Sequence, residues 1–440
     1  MSASPQSLEN KLGLWSAVSL VVGNMIGAGV FLIPVTLAGF GSISLLGWVF
    51  SAIGTFFLAR IFSNLSKLLP NVTGGPYAYT RSGFGDFAGF VVAWSYVICI
   101  ALANAAIVIS FVSALSAFFP VIGSNRVIAV GTGLSAIWLL TWVNTKGVAI
   151  SGTLQLVTTI LKVLPLLVIG AGGSFFLKSA NFHPFNTTGR STFAAVTAAA
   201  AVTVFSMVGV ESAAIPAASV VNPAKNISRA TLLGLLITVL VYLLGSVSIM
   251  GMLSPQQLQH TLTPYADAGA LMFGPAARYV VSAGIAIAAF GALNGWILIQ
   301  GQIPYAIAKD NLFPALFARE NSRKVPYMGM IINSTLVSIF MVMNYTKGLA
   351  DQFKALLLLA VFMVFVPYLF SSLSYLIICL KLKGSAAGSL AGTVALSLLA
   401  FAYSLWAISG TGEQAIFNGF IGLVLSVPVY VWIKYSKRMR

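Results

Sequence analysis

Acidic side chains are almost missing from this chain. It has 8 Asp and Glu in 440 residues, and only 7% of its residues carry charge of either sign. Soluble domains carry about 25% charged residues. Too little charge is left to cover a water-facing surface, which excludes a soluble protein. With 58% hydrophobic residues and a mean hydropathy of +0.96, the chain reads as an integral membrane protein. Cysteine is scarce too. Cys99 and Cys379 both fall in apolar runs, so no disulfide framework is expected. The two histidines, His183 and His260, are far apart in sequence, and no metal-ligand spacing exists. There is no Walker loop and no Ser-His-Asp set. An ATP-driven pump or a hydrolase is unsupported, and no cofactor is expected.

Basic residues are the charge that is present, giving a net +16. They lie at the ends of apolar runs, so a lipid bilayer is the expected partner and nucleic acid is not. About twelve spans are expected, over 13–38, 43–69, 87–118, 126–144, 149–177, 193–216, 230–253, 276–304, 328–345, 351–382, 388–409 and 413–434. Residues 1–12 read as a cytoplasmic tail, because Glu9 and the long run after it do not fit a cleaved signal. With the N-terminus inside, 17 Lys and Arg fall on the inner side and six on the outer, and Lys162 lies within a span. Both termini are therefore expected in the cytoplasm.

Two segments repeat. Residues 26–34 read IGAGVFLIP and residues 208–216 read VGVESAAIP, 182 residues apart. One lies in span 1 and the other in span 6. Equivalent points separated by an odd number of spans enter the membrane from opposite sides. That is an inverted-topology repeat, spans 1–5 (13–180) against spans 6–10 (190–384), followed by two further spans and a basic C-terminus (385–440). Matched Gly and Pro positions in two halves point to broken helices around a transporter's binding site, though both residues are also common in membrane helices.

The repeat draws attention to GNMIGAGVF (23–31) and to Val208 onward. Repeated glycine favours an unwound stretch, whose bare amides suit a carboxylate; close helix packing is the alternative. Glu211 is the one acidic residue deep in an apolar run, and intramembrane carboxylates mark sites by default. It is a candidate for taking up and releasing a proton, or it merely fastens span 6. Lys162, in TTILKVLPLL, is the one basic residue near a midplane and needs a carboxylate, backbone carbonyls or water. Phe205, Trp296 and Tyr96 are rings that suit a cationic ligand.

The segments GNMIGAGVFLIP (23–34), GGPYAYTRSGFG (74–85), GVESAAIP (209–216), the loop NPAKN (222–226), GWILIQGQ (295–302) and AKDNLFPALFARENSRKVP (308–326) carry a family resemblance. The chain resembles the amino acid–polyamine–organocation superfamily, and within it the basic amino acid/polyamine antiporters such as the arginine/agmatine and putrescine/ornithine exchangers. The resemblance implies an all-α, leucine-transporter-type 5+5 inverted repeat with broken helices 1 and 6, and alternating access. It implies substrate contacts at Asn24, Met25, Ala28, Gly29, Tyr96, Asn104, Phe205, Val208 and Trp296. It also implies coupling or gating at Glu211 and Lys162. Phe205 and Ala28 stand where the family has tryptophan and serine, and Lys162 resembles the lysine of proton-coupled members. The expectation is a secondary transporter of a small amino acid or polyamine in a bacterial inner membrane, not an enzyme. Exchange of cationic substrates is the first reading and proton-coupled symport through Lys162 and Glu211 the second. A non-transporting sensor is a distant third, and whether the protein forms a homodimer is left open.

Overall fold

The computed structural model describes residues 11–27, 29–70, 72–261, 263–343, 349–382 and 389–436. Ala28, most of the expected N-terminal tail, and the basic residues Lys347, Lys383, Lys437, Arg438 and Arg440 lie outside the described residues. Among the described residues there is no named strand, and 10 helices are long and apolar enough to cross a membrane. These include span 2 (Ser44–Leu68), span 3 (Asp86–Ser116), span 4 (Arg126–Thr145), span 5 (Val148–Gly172) and span 7 (Pro223–Met252). They also include span 8 (Ala277–Lys309), span 10 (Leu349–Lys381) and span 11 (Leu390–Ser409). Span 12 bends between Glu413–Val424 and Ser426–Ser436. Span 9 (Tyr327–Met343) is shorter.

Two spans are interrupted. Span 1 is a helix over Leu14–Met25, a break at Ile26 and Gly27, and a second helix over Gly29–Ala38. Span 6 is α-helical over Thr192–Thr203 and then continues only as short 3-10 turns to Ser219. Gly209 sits in this stretch at φ +107°, a conformation that side chains disfavour. A Cβ there would also come within 3.2 Å of the Asn24 backbone, so the two breaks cross at glycine-limited separation. The start of span 1 and the end of span 6 are tied as well: Leu12 N–H donates to the Ser219 carbonyl at 2.7 Å and Val221 N–H to the Leu12 carbonyl at 3.0 Å.

The packing follows the repeat. Span 1 packs on span 7 as span 6 packs on span 2, and span 10 packs on span 3 as span 5 packs on span 8. Spans 2 and 7, 3 and 8, and 4 and 9 meet their own counterparts. One expectation needs correction: NPAKN is not a loop. Pro223 is the first residue of span 7, because its fixed φ and missing N–H suit a helix start, and Asn222 before it adopts φ 46°.

Lipid is as apolar as leucine, so contacts between spans depend on close packing and hydrogen bonds. A buried amide chain supplies many of the bonds. Asn104 Nδ2 donates to Gln300 Oε1 at 2.9 Å, and Gln300 Nε2 to Ser334 Oγ at 2.7 Å. Asn144 Nδ2 donates to Asn294 Oδ1 at 3.0 Å, and Asn294 Nδ2 to Gln155 Oε1 at 3.1 Å. Spans 3, 4, 5, 8 and 9 are joined in this way.

The short helix Pro76–Phe84 between spans 2 and 3 is clasped at its polar end. Arg81 pairs with Asp86 at 2.9 Å and with Asp310 at 2.8 Å, and Tyr77 Oη donates to Asp310 at 2.8 Å. Gly74 N–H reaches the Ile215 carbonyl at 3.0 Å, so this clasp bears on the end of span 6. Both members of the Arg81–Asp310 pair are about one-third exposed, at 35% and 34%, so the pair is worth at most about 1 kcal/mol. Asp310→Ala, which removes both contacts to Asp310, is expected to lower the melting temperature in detergent by a few degrees. An unchanged melting curve would show that the clasp holds nothing.

Candidate functional site

Backbone groups freed by a helix break cannot be left bare at membrane depth. Here side chains from three other spans take them up. Lys162 Nζ of span 5 donates to the Gly23 and Ile26 carbonyls, each at 2.6 Å. Tyr242 Oη of span 7 lies 2.6 Å from the Met25 carbonyl and 3.2 Å from the Ser206 carbonyl, so one phenol bridges both breaks. Tyr368 Oη of span 10 accepts from Gly209 N–H at 3.2 Å. Asn24 Nδ2 donates to Ser212 Oγ at 2.9 Å, a direct bond between the broken stretches.

A small cavity lies where the breaks cross. Span 1 lines it with Asn24, Met25, Gly27 and Val30, and span 6 with Phe205, Ser206 and Val208. Span 3 adds Ala103, Ala106 and Ile107, and span 8 adds Trp296, which is 2% exposed. The second helix of span 1 begins at Gly29 beside this space. Its first-turn amides have no partner within the helix and carry the positive end of the helix dipole. The first helix of span 6 ends toward the same space, and its last carbonyls carry the opposite partial charge. The arrangement offers opposite partial charges to a carboxylate and an ammonium.

The site residues expected from the sequence divide into two groups. Asn24, Met25, Phe205, Val208 and Trp296 share the cavity wall. Tyr96 and Asn104 do not line it. Tyr96 Oη donates to Glu211 Oε1, and Asn104 is turned to Gln300. Gly29 heads the second helix of span 1, and Ala28 lies outside the described residues. Glu211 is fully buried behind the cavity, with Tyr96 on one carboxylate oxygen and Tyr368 on the other. Lys162 is 1% exposed and lies against the span 1 break. It has carbonyl partners, one of the three kinds of partner its position requires.

Sequence reading missed Tyr242, Tyr368, Ser206 and Ser212. Ser206 and Ser212 flank Glu211 and lie inside or beside the repeated segment, which is a usable signal. Nothing in sequence separates Tyr242 and Tyr368 from the other 12 tyrosines, because their role depends on which span faces the breaks.

Comparison with known proteins agrees with this geometry. The sequence pattern described as amino acid permease matches residues 12–433. An arginine/agmatine antiporter of Chlamydia trachomatis is 31% identical, with 97% of this chain aligned to 90% of that protein. The putrescine transporter PotE of Haemophilus influenzae is 30% identical, over 97% of this chain and 98% of that protein. A crystal structure of an Eremococcus coleocola manganese transporter, bound to an aromatic bis-isothiourea compound, superposes with a TM-score of 0.57. It covers 100% of this chain and 97% of that one at 13% identity, which is a likeness of fold. The chain belongs to the amino acid permease family of multi-pass membrane transporters.

Proposed function

We propose that this permease exchanges amino acids or amines across a bacterial inner membrane by alternating access, with both termini in the cytoplasm. The observation that carries the reading is the cavity at the crossing of two broken spans, lined by residues of spans 1, 3, 6 and 8. Residues 13–180 and 190–384 form the two halves of the repeat that would rock about it. The name of one relative, an arginine/agmatine antiporter, supports exchange, and the other is named a putrescine transporter. The arginine/agmatine form of that exchange rests on the first name alone, since the residues that line the cavity include no carboxylate to pair a guanidinium. Glu211 with Tyr96 and Tyr368 ties spans 3, 6 and 10 together, and in a gating role these bonds would part as the other side opens.

Proton-coupled uptake is a second reading, favoured by one observation. Lys162 is bonded to two carbonyls of the span 1 break and, among the described residues, to no carboxylate. Loss of its proton would strand no buried anion, and it would weaken the bonds to the two carbonyls that shape the break. Protonation and the form of span 1 are thereby linked.

Proteoliposome flux tests both readings. Counterflow of labelled substrate against internal unlabelled substrate is expected; its absence for every amino acid and amine offered would remove the transport reading. Glu211→Gln replaces an acceptor oxygen that faces a phenol donor. It is expected to slow counterflow about tenfold and to flatten its pH profile. A variant with the wild-type rate and profile would take Glu211 out of the cycle.

Lys162→Ala separates exchange from coupling. If coupling holds, an inward proton gradient drives net uptake by the wild type into liposomes without internal substrate. The variant then loses that net uptake and keeps counterflow. Wild-type counterflow with no net uptake under a gradient would instead make the protein an obligate exchanger and Lys162 a structural residue.

A further inference from the structure

The walls of the cavity differ in chemistry. Spans 1 and 6 supply its polar residues, Asn24 and Ser206, beside the helix ends. Asn24 Oδ1, which lies against Gly295 of span 8, and Ser206 Oγ are buried and have no hydrogen-bond partner among the described residues. Span 3 supplies only hydrocarbon, from Ala103, Ala106 and Ile107, and Val30 and Val208 extend this apolar surface. None of the lining side chains is charged. The nearby titratable groups are committed elsewhere: Glu211 to two phenols and Lys162 to two carbonyls.

A buried charge is tolerated when it is paired and hydrogen-bonded. The α-ammonium and α-carboxylate of an amino acid meet that condition at the two helix ends. A second cationic group on the side chain would not. It would face alkyl groups and the Phe205 and Trp296 rings, and phenyl is a weaker cation-binding face than indole. Ala103 and Ala106 are the small residues of the span 3 wall. We propose that the cavity, with its polar helix ends and its apolar span 3 wall, selects amino acids with uncharged apolar side chains, of the leucine, methionine or phenylalanine kind, over cationic amino acids and polyamines. This rests on the transport reading above.

The test uses the full-length protein in liposomes, with labelled leucine and labelled arginine as separate probes. Unlabelled leucine, methionine, phenylalanine, alanine, arginine, lysine, agmatine and putrescine serve as competitors. The apolar amino acids are expected to exchange, and to compete at about tenfold lower concentration than the cations. Arginine, lysine or putrescine moving as well as leucine would overturn the proposal and leave the transport reading standing. No movement of either probe under any competitor would overturn both. A second arm enlarges a side chain of the span 3 wall. Ala106→Leu, or Ala106→Val where the larger change does not fold, is expected to weaken leucine and phenylalanine about tenfold and to spare alanine. Alanine exchange then reports that the variant is folded. Equal loss for alanine and phenylalanine in a variant with the wild-type melting temperature would overturn the assignment of the span 3 wall.

Discussion

Everything in this structure hangs on the need to satisfy backbone groups that two broken helices expose at membrane depth. A continuous helix meets that need within itself, and a break does not. The solution is donated from outside the broken spans. Lys162 holds carbonyls of span 1, Tyr368 meets an amide of span 6, and Tyr242 reaches carbonyls of both. Span 5 serves the break in span 1 as span 10 serves the break in span 6, so the repeat extends from topology to hydrogen bonding.

These bonds explain why the cavity stands where it does and why it is small. Side chains that satisfy the breaks approach from behind, leaving the opposite faces of the breaks toward spans 3 and 8. Glycine makes the approach close. A Cβ on Gly295 would fall 2.0 Å from Asn24 Oδ1, so span 8 can lie against the span 1 break only where its side chain is a hydrogen. The same closeness lets one phenol span both breaks. A change in either break is felt by Tyr242, and through Tyr368 and Glu211 by span 3. The two breaks and the residues that satisfy them are thus a single bonded set.

Much of this was legible in the residues, for physical reasons. Scarce charge in long apolar runs fixes an all-helical membrane protein, because helices and closed barrels alone satisfy a backbone in lipid. The matched IGAGVFLIP and VGVESAAIP segments located both breaks, since glycine is disfavoured in helices and its recurrence has a reason. Glu211 and Lys162 stood out because isolated charge in hydrocarbon is expensive. Tyr96 and Asn104 were harder to place. Their types fit a ligand, but each has a polar partner in another span, Glu211 and Gln300, that competes for it.

The sequence by itself determined the class, the spans, the inverted repeat, the breaks and the two buried charges, because each follows from composition or spacing along one chain. Tertiary structure alone decided the partners. Hydrogen bonds between residues 115 to 217 positions apart, such as Tyr96 with Glu211 and Tyr242 with Met25, depend on how each helix is rotated in the bundle. Helix rotation is set by packing against several neighbours at once, and in an almost wholly apolar sequence no hydrophobic stripe marks the inward face. That is why the sequence showed which residues are costly to bury, and only the fold showed what each of them holds.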